Sequence, residues 1–317
     1  MPAAFTAEEI MAITEARIAV GLMHEDVGEI CTDTRTLKEG QWFLALRGEE
    51  FDGHDFLGEA YSSGAIGCIV EERTSYPIAS TSFPLLAVPD TADALSQLAR
   101  NWRKRINPRV ALLPASESLE ALVETLGEGL AKYFEGRFVL LEKSDCVEVC
   151  KHLLQMPDDT RAVLIQYKLN HFEETEVLGF TALPGVVLLT EESVRAFRLR
   201  LSSADLAAMP FAIMPTLKLS HGLLIVDASF KDQLFENVDA SFLRNVIVFG
   251  DGVTEADFAS GNAAEFLRAG GDDEQTEPML VKAREYAIAN SPSDEYFELY
   301  EVTAVILMMM GIEFAVS

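Results

Sequence analysis

The side chains able to carry chemistry fall in a few short stretches. Cys146, Cys150 and His152 stand close together, and thiolates with an imidazole are the ligand types of a zinc or other soft-metal site. Their spacing argues otherwise. Both cysteines flank or occupy a stretch read as helix, Val147–Leu154. Metal sites usually take loop-borne cysteines at tighter spacing, with a fourth ligand. A buried pair of thiols is expected, Cys31 and Cys68 are expected in the core, and no metal site is expected. Glu173 and Glu174 are adjacent carboxylates, too few on one segment to define a cation site. His171 and His221 have no neighbouring Ser or Cys that would make a nucleophilic triad. Arg35, beside Thr34, is a guanidinium able to pair with an anionic group. Asp52-Gly53 is a turn signal, Asp52 or Asp55 can cap the helix that follows, and Phe51 and Phe56 can be core.

Two α/β stretches would position these residues. In the first, Thr6 and Glu9 have capping-box spacing and open a helix read as Thr6–Ala19. Strand Trp42–Leu46, helix Phe56–Ser63, strands Ile66–Val70 and Leu85–Val88, and a long helix Thr91–Arg105 behind Asp90 follow. Ala94, Leu95, Leu98, Ala99 and Trp102 recur at helical spacing, and Asn107-Pro108 ends that helix. The second stretch reads as strand Val110–Leu113, helix Ser118–Tyr133, strand Phe138–Leu141, a helix around 147–154, and strands Ala162–Gln166, Gly185–Leu189, Leu223–Asp227 and Asn245–Phe249. It closes with helix Glu298–Met310. Apolar strands alternating with helices imply a mostly parallel sheet covered on both faces. Gly270–Pro278 reads as a solvated loop. The expected domains are residues 1–106 and 107–317.

Composition bounds the partners. The net charge is −26, with 49% hydrophobic and 24% charged residues. That supports a sizeable core and argues against nucleic acid or an anionic membrane as a partner. Residues 1–106 carry a net −8 and residues 107–317 a net −18. No run reaches the ~20 apolar residues of a membrane span. Glu8, Glu9 and Glu15 stand where a secretory leader needs a basic flank and an apolar run, so a cytoplasmic location is expected.

The order of short motifs in the first third carries a resemblance. Asp33-Thr34-Arg35, Lys38-Glu39-Gly40-Gln41-Trp42-Phe43, Ala45-Leu46-Arg47-Gly48 and Phe51-Asp52-Gly53-His54-Asp55-Phe56 precede Gly64-Ala65 and Val88-Pro89-Asp90-Thr91. This series resembles the Mur ligases, most closely the MurF type. The resemblance implies a small α/β N-terminal domain of the UDP-sugar-binding type, then a P-loop-NTPase-like central domain. Thr34, Arg35, Asp52, Gly53 and His54 then stand where family members approach the uridine and diphosphate of their substrate.

The second stretch resembles the family in frame but not in chemistry. Where the family has a T-G-[ST]-x-G-K-T-[ST] phosphate loop, this chain reads Pro114-Ala115-Ser116-Glu117-Ser118-Leu119-Glu120-Ala121. Ala115 and Ser118 replace the loop glycines, Leu119 the phosphate-binding lysine, and Glu120 the Thr that holds Mg²⁺. At ~4 Å and an effective dielectric of ~20, each carboxylate facing a phosphate is repulsive by roughly 4 kcal/mol. Gln166 replaces a magnesium-ligating carboxylate, and Lys168 a glycine. Ala196 stands at the family histidine, Met209 near its carbamylated lysine, and Leu299 near its adenine-contacting Asn. The family's third domain is expected to be absent.

The expectation is therefore a Mur-ligase-like pseudoenzyme linked to peptidoglycan precursor synthesis, with a degenerate phosphate loop, no catalytic residues, and ATP and Mg²⁺ lost as cofactors. It would bind a protein partner, such as a cell-wall synthesis enzyme, or a UDP-muramoyl-peptide. Two alternatives stand beside it: an atypical ATP-dependent MurF-type amide ligase completed by a partner subunit, and a UDP-muramoyl-peptide sensor.

Overall fold

The computed structural model describes residues 1–48, 51–73, 75–78, 82–168, 174–190, 217, 222–230, 246–249, 265–267, 277–290 and 297–312. His171, Glu173, Ala196, Met209, His221 and residues 270–276 lie outside them. The chain divides into a first unit, Met1–Ile106 with Cys150–Asp159, and a second, Asn107–Val149 with Thr160–Ser317. The sequence boundary at 106/107 is thus crossed by one segment. The Ala3 N–H donates to the Leu154 carbonyl at 2.8 Å, and the Trp102 indole donates to Met156 at 3.1 Å. The N-terminal ammonium pairs with Asp158 at 2.6 Å.

In the first unit, β1 (Ala4–Phe5), β2 (Arg17–Val20), β3 (Gly28–Cys31), β4 (Trp42–Leu44), β5 (Gly67–Glu71) and β6 (Leu85–Val88) form one sheet. Its order is β1-β3-β4-β5-β6-β2. The inner pairs from β3 to β6 are parallel and the two outer pairs antiparallel. Every residue of β4 and β6 is buried, which is why these runs are continuously apolar. Trp42 is fully buried and donates through Nε1 to the Phe5 carbonyl at 3.0 Å. A Cβ at Gly67 would run into the Trp42 ring, so that strand start needs a glycine.

Helix α1 (Ala7–Thr14) has the full capping box between Thr6 and Glu9. It stops well short of Ala19, because Glu15 takes a left-handed C-cap (φ 55°) and Arg17–Val20 pairs with β6 instead. The β-branched Ile18 and Val20 suit that strand. The next helix opens as a 3₁₀ turn at Gly53–Phe56 before α2 (Leu57–Ser62). Helix α3 (Thr91–Ile106) packs against α1 and ends in Arg103, Lys104 and Arg105, which complement its C-terminal dipole.

The second unit has β7 (Arg109–Pro114), α4 (Glu120–Phe134), β8 (Phe138–Ser144), α5 (Cys146–Gln155, shared with the first unit), β9 (Ala162–Tyr167), α6 (Glu174–Ala182) and β10 (Val186–Leu189). Then come β11 (Leu223–Asp227), β12 (Val246–Phe249), β13 (Glu265–Leu267), α7 (Glu277–Asn290) and α8 (Phe297–Met309). Glu277 and Pro278, expected in a loop, open α7. Its start accepts a proline because the first-turn N–H groups have no intrahelical partner.

The strand order is β13-β12-β11-β10-β7-β9-β8, all pairs parallel. The first strand of the unit, β7, therefore lies between β9 and β10, and successive connections leave it in opposite directions. Such a reversal opens a crevice at the carboxyl ends of the strands. Leu122, Val123, Leu126 and Leu130 of α4 and Val302, Val305 and Ile306 of α8 are buried in one cluster with residues of β7, β9, β10 and β11. The Arg109 guanidinium caps α8 by donating to the Met310 carbonyl at 2.8 Å.

Candidate functional site

In both units the residues singled out from sequence lie at the carboxyl ends of parallel strands. In the first unit, Thr34 and Arg35 form the turn after β3, Arg47 follows β4, and Glu71 and Arg73 end or follow β5. Asp33 accepts from the Arg35 backbone N–H (3.0 Å) and from its guanidinium at Nε (2.9 Å) and Nη2 (2.6 Å). Those bonds hold the Asp33 carboxyl down at about 2 and raise the guanidinium. The Arg35 side chain is 84% exposed. It can exchange its carboxylate partner for a phosphate without moving any core residue.

Asp52, Gly53 and His54 are held differently. His54 is fully buried. Its Nε2 accepts from the Glu71 backbone N–H at 2.8 Å, so Nδ1 carries the proton and donates to Asp52 at 2.6 Å. Asp52 also caps the 3₁₀ turn through the His54 N–H and accepts from Arg73 at 2.6 Å. Burial pushes the Asp52 carboxyl up. The hydrogen bonds from Arg73 and His54 outweigh that and hold it well below the usual carboxylate range. Arg47 pairs with Glu71 at 2.7 Å, and the Tyr76 hydroxyl donates to the Glu71 carbonyl at 2.9 Å.

Both ring nitrogens of His54 are engaged within the fold. Gly53 is required by close approach. Its N–H donates to Leu46 at 2.8 Å, and an added Cβ would lie 2.6 Å from that same carbonyl oxygen. The sequence reading missed Glu71 and Arg73. The spacing of a single strand does not reveal that its end will meet a turn twenty positions earlier in the chain.

In the second unit, β7 runs into Ala115 and Ser116, a 3₁₀ turn at Glu117–Leu119, and α4. The loop therefore occupies the crevice defined by the strand order. The Ala115 N–H donates to the carbonyl of Tyr167, the last residue of β9, at 2.9 Å. Tyr167 is buried, and burial pushes its phenol up. Ser116 is buried, and the Leu119 N–H donates to its carbonyl at 3.2 Å. Ser118 lies within the 3₁₀ turn.

Leu119 is 4% exposed and belongs to the α4–α8 core cluster. Its side chain points into the protein rather than toward a bound group. Glu120 is exposed and accepts from Lys143 Nζ at 2.9 Å; the bond raises the Lys143 ammonium. An irregularity between Leu141 and Ser144 and a left-handed Lys143 (φ 48°) turn β8 at that point. Gln166 is buried on β9 in register with Leu113. Glu117 and Glu120 place carboxylates at the N-terminal end of α4, where the helix dipole favours an anion.

Cys68, Cys146 and Cys150 are buried and in no disulfide, whereas Cys31 is only half-buried and donates to the Asp33 carbonyl at 3.2 Å. Among the described residues, no group of three or more His, Cys, Asp or Glu side chains is placed to hold a metal ion. Nor, among them, is any helix long and apolar enough to cross a membrane.

Residues 26–103, which span the Asp33–Arg35 turn and the Asp52–His54–Arg73 network, match the family described as "Mur ligase family, catalytic domain". Over that segment the chain is similar to the Mur ligases. The chain is 30% identical over 175 residues to the UDP-N-acetylmuramoyl-tripeptide–D-alanyl-D-alanine ligase of Synechocystis sp., covering 55% of this chain and 38% of that protein. It is also 30% identical over 190 residues to the Haemophilus influenzae ligase of the same name, covering 57% of this chain and 39% of that one. The matched region thus spans under two fifths of those relatives' own length. The fold is that of MurF from Acinetobacter baumannii, with a TM-score of 0.61 at 22% identity over 79% of this chain and 54% of that one.

Proposed function

We propose that this Mur-ligase relative binds rather than ligates: its second unit keeps the ligase frame but has given up the nucleotide. The observation that carries this reading is Leu119, buried in the core at the position where the resemblance puts a phosphate-binding lysine. Without that ammonium and the loop glycines, nothing there positions a triphosphate. Without the magnesium carboxylate, replaced by the buried amide of Gln166, nothing neutralises the charge that develops in phosphoryl transfer. Glu117 and Glu120 add repulsion at the same place. The relatives' names point to a UDP-N-acetylmuramoyl-tripeptide as the kind of substrate, and the setting we infer is peptidoglycan precursor synthesis. The ligand is then a UDP-muramoyl-peptide held from the first unit through Arg35, or a protein partner from that pathway.

A second reading is a working MurF-type ligase completed by another subunit. It is favoured by the length of the 30% match, which at 175 to 190 residues exceeds the first unit. Incubating the full chain with UDP-muramoyl-tripeptide, D-alanyl-D-alanine and Mg-ATP separates the two. The binding reading expects no phosphate release; steady release with amide product would replace it by the ligase reading. Binding of UDP-muramoyl-tripeptide that disappears in Arg35→Ala would assign the sensor role.

A further inference from the structure

His24 lies in the turn between β2 and β3, and three groups hold it. Its ring stacks on Trp42, with centroids 5.7 Å apart and planes 17° apart. Its Nε2 lies 2.7 Å from the Ile66 carbonyl oxygen. A carbonyl only accepts, so Nε2 carries a proton in every state that keeps this bond. In the neutral ring Nδ1 is then a bare lone pair. That atom is buried without a hydrogen-bond partner, and it lies within ion-pair distance, 3.1 Å, of a carboxylate oxygen of Asp26. A lone pair facing a carboxylate is repulsive; an N–H facing it is an ion pair. β4 and the Ala65–Gly67 turn, which supply the ring's other two contacts, carry no ionisable side chain. The remaining charges nearby in sequence are Glu25 on the same turn and Glu29 on β3, the latter accepting from Gln41 at 3.1 Å.

We propose that protonation of His24 clamps the 21–27 turn onto the first unit's sheet through the Asp26 carboxylate, and that loss of the proton releases it. The neutral ring keeps one tether, to Ile66. The imidazolium adds a second within the turn itself. The turn displays Leu22, Met23 and Val27, all exposed, beside the exposed Ile18 of the edge strand β2. The clamp therefore governs how firmly an apolar surface is presented.

Peptide-resolved hydrogen exchange on the full chain tests this, with rates divided by intrinsic rates at each pH. Between pH about 8 and about 5.5, protection of residues 22–27 should rise about two- to fivefold, the size an exposed ion pair supports. Asp26→Asn, a change at an exposed side chain, should remove the rise while leaving protection of β4 and β5 unchanged. His24→Gln should do the same. Protection that does not change with pH, or that changes equally in Asp26→Asn, would overturn the proposal.

Discussion

The two units use one architectural device and fill it with opposite chemistry. Each gathers its candidate residues at the carboxyl ends of parallel strands, where loops converge and a ligand can enter. In the first unit that edge is polar and interlocked: Asp33 with Arg35, and Asp52 with His54 and Arg73. In the second, the corresponding loop turns a leucine into the core and pairs its glutamate with Lys143. The first edge retains arginines that an anionic ligand could use. The second has closed on itself. On the proposed binding reading, packing and not turnover would constrain the second unit.

Substitutions can test that contrast, and the largest effect belongs to the closed loop. Leu119→Lys would place an ammonium inside an apolar cluster and should destabilise the second unit by about 3–4 kcal/mol, seen as an earlier urea transition. A stable variant would mean that the position opens to solvent. In the first unit, Asp52→Ala strips His54 and Arg73 of their shared acceptor and should cost about 3 kcal/mol.

The pH dependence follows from the depressed carboxyl. Asp52 contributes fully above pH ~4, near its unfolded value, and the contribution is lost as pH falls through the folded one. Asp33, held at about 2 by Arg35, adds a smaller share lost between pH ~4 and about 2. Acid titration of the unfolding free energy should show this limb flattened in Asp52→Asn. Gly53→Ala, forced against the Leu46 backbone, should cost about 2 kcal/mol. Glu120→Gln breaks a pair whose members are both about half exposed and should change stability by no more than about 0.5 kcal/mol. A larger loss would mean that the loop depends on Lys143.

Much of this was legible in the residues. The Thr6–Glu9 capping box, the apolar runs of β5, β6, β10 and β11, and the stripe on α3 each follow from local periodicity and appear where expected. Local patterns also misled. Ile18 falls within the helix expected to run to Ala19, yet pairing with β6 claims it for a strand. The Cys150–Asp159 segment joins the first unit through contacts with Ala3 and Trp102 that no local signal announces. At the sites, Leu119 was readable as standing where the resemblance puts a lysine, but its burial required the core cluster. His54 read as a ligand group because its partners, Asp52 and the Glu71 N–H, meet it only once β5 is in place.

The central claim is that the crevice beside β7 takes no nucleotide. Titrating the folded full-length chain with Mg-ATP in a calorimeter tests it directly. The account predicts no saturable heat up to about millimolar nucleotide, an affinity weaker than about −4 kcal/mol. A one-to-one isotherm with a dissociation constant in the micromolar range, abolished by a substitution in the 115–120 loop, would contradict it.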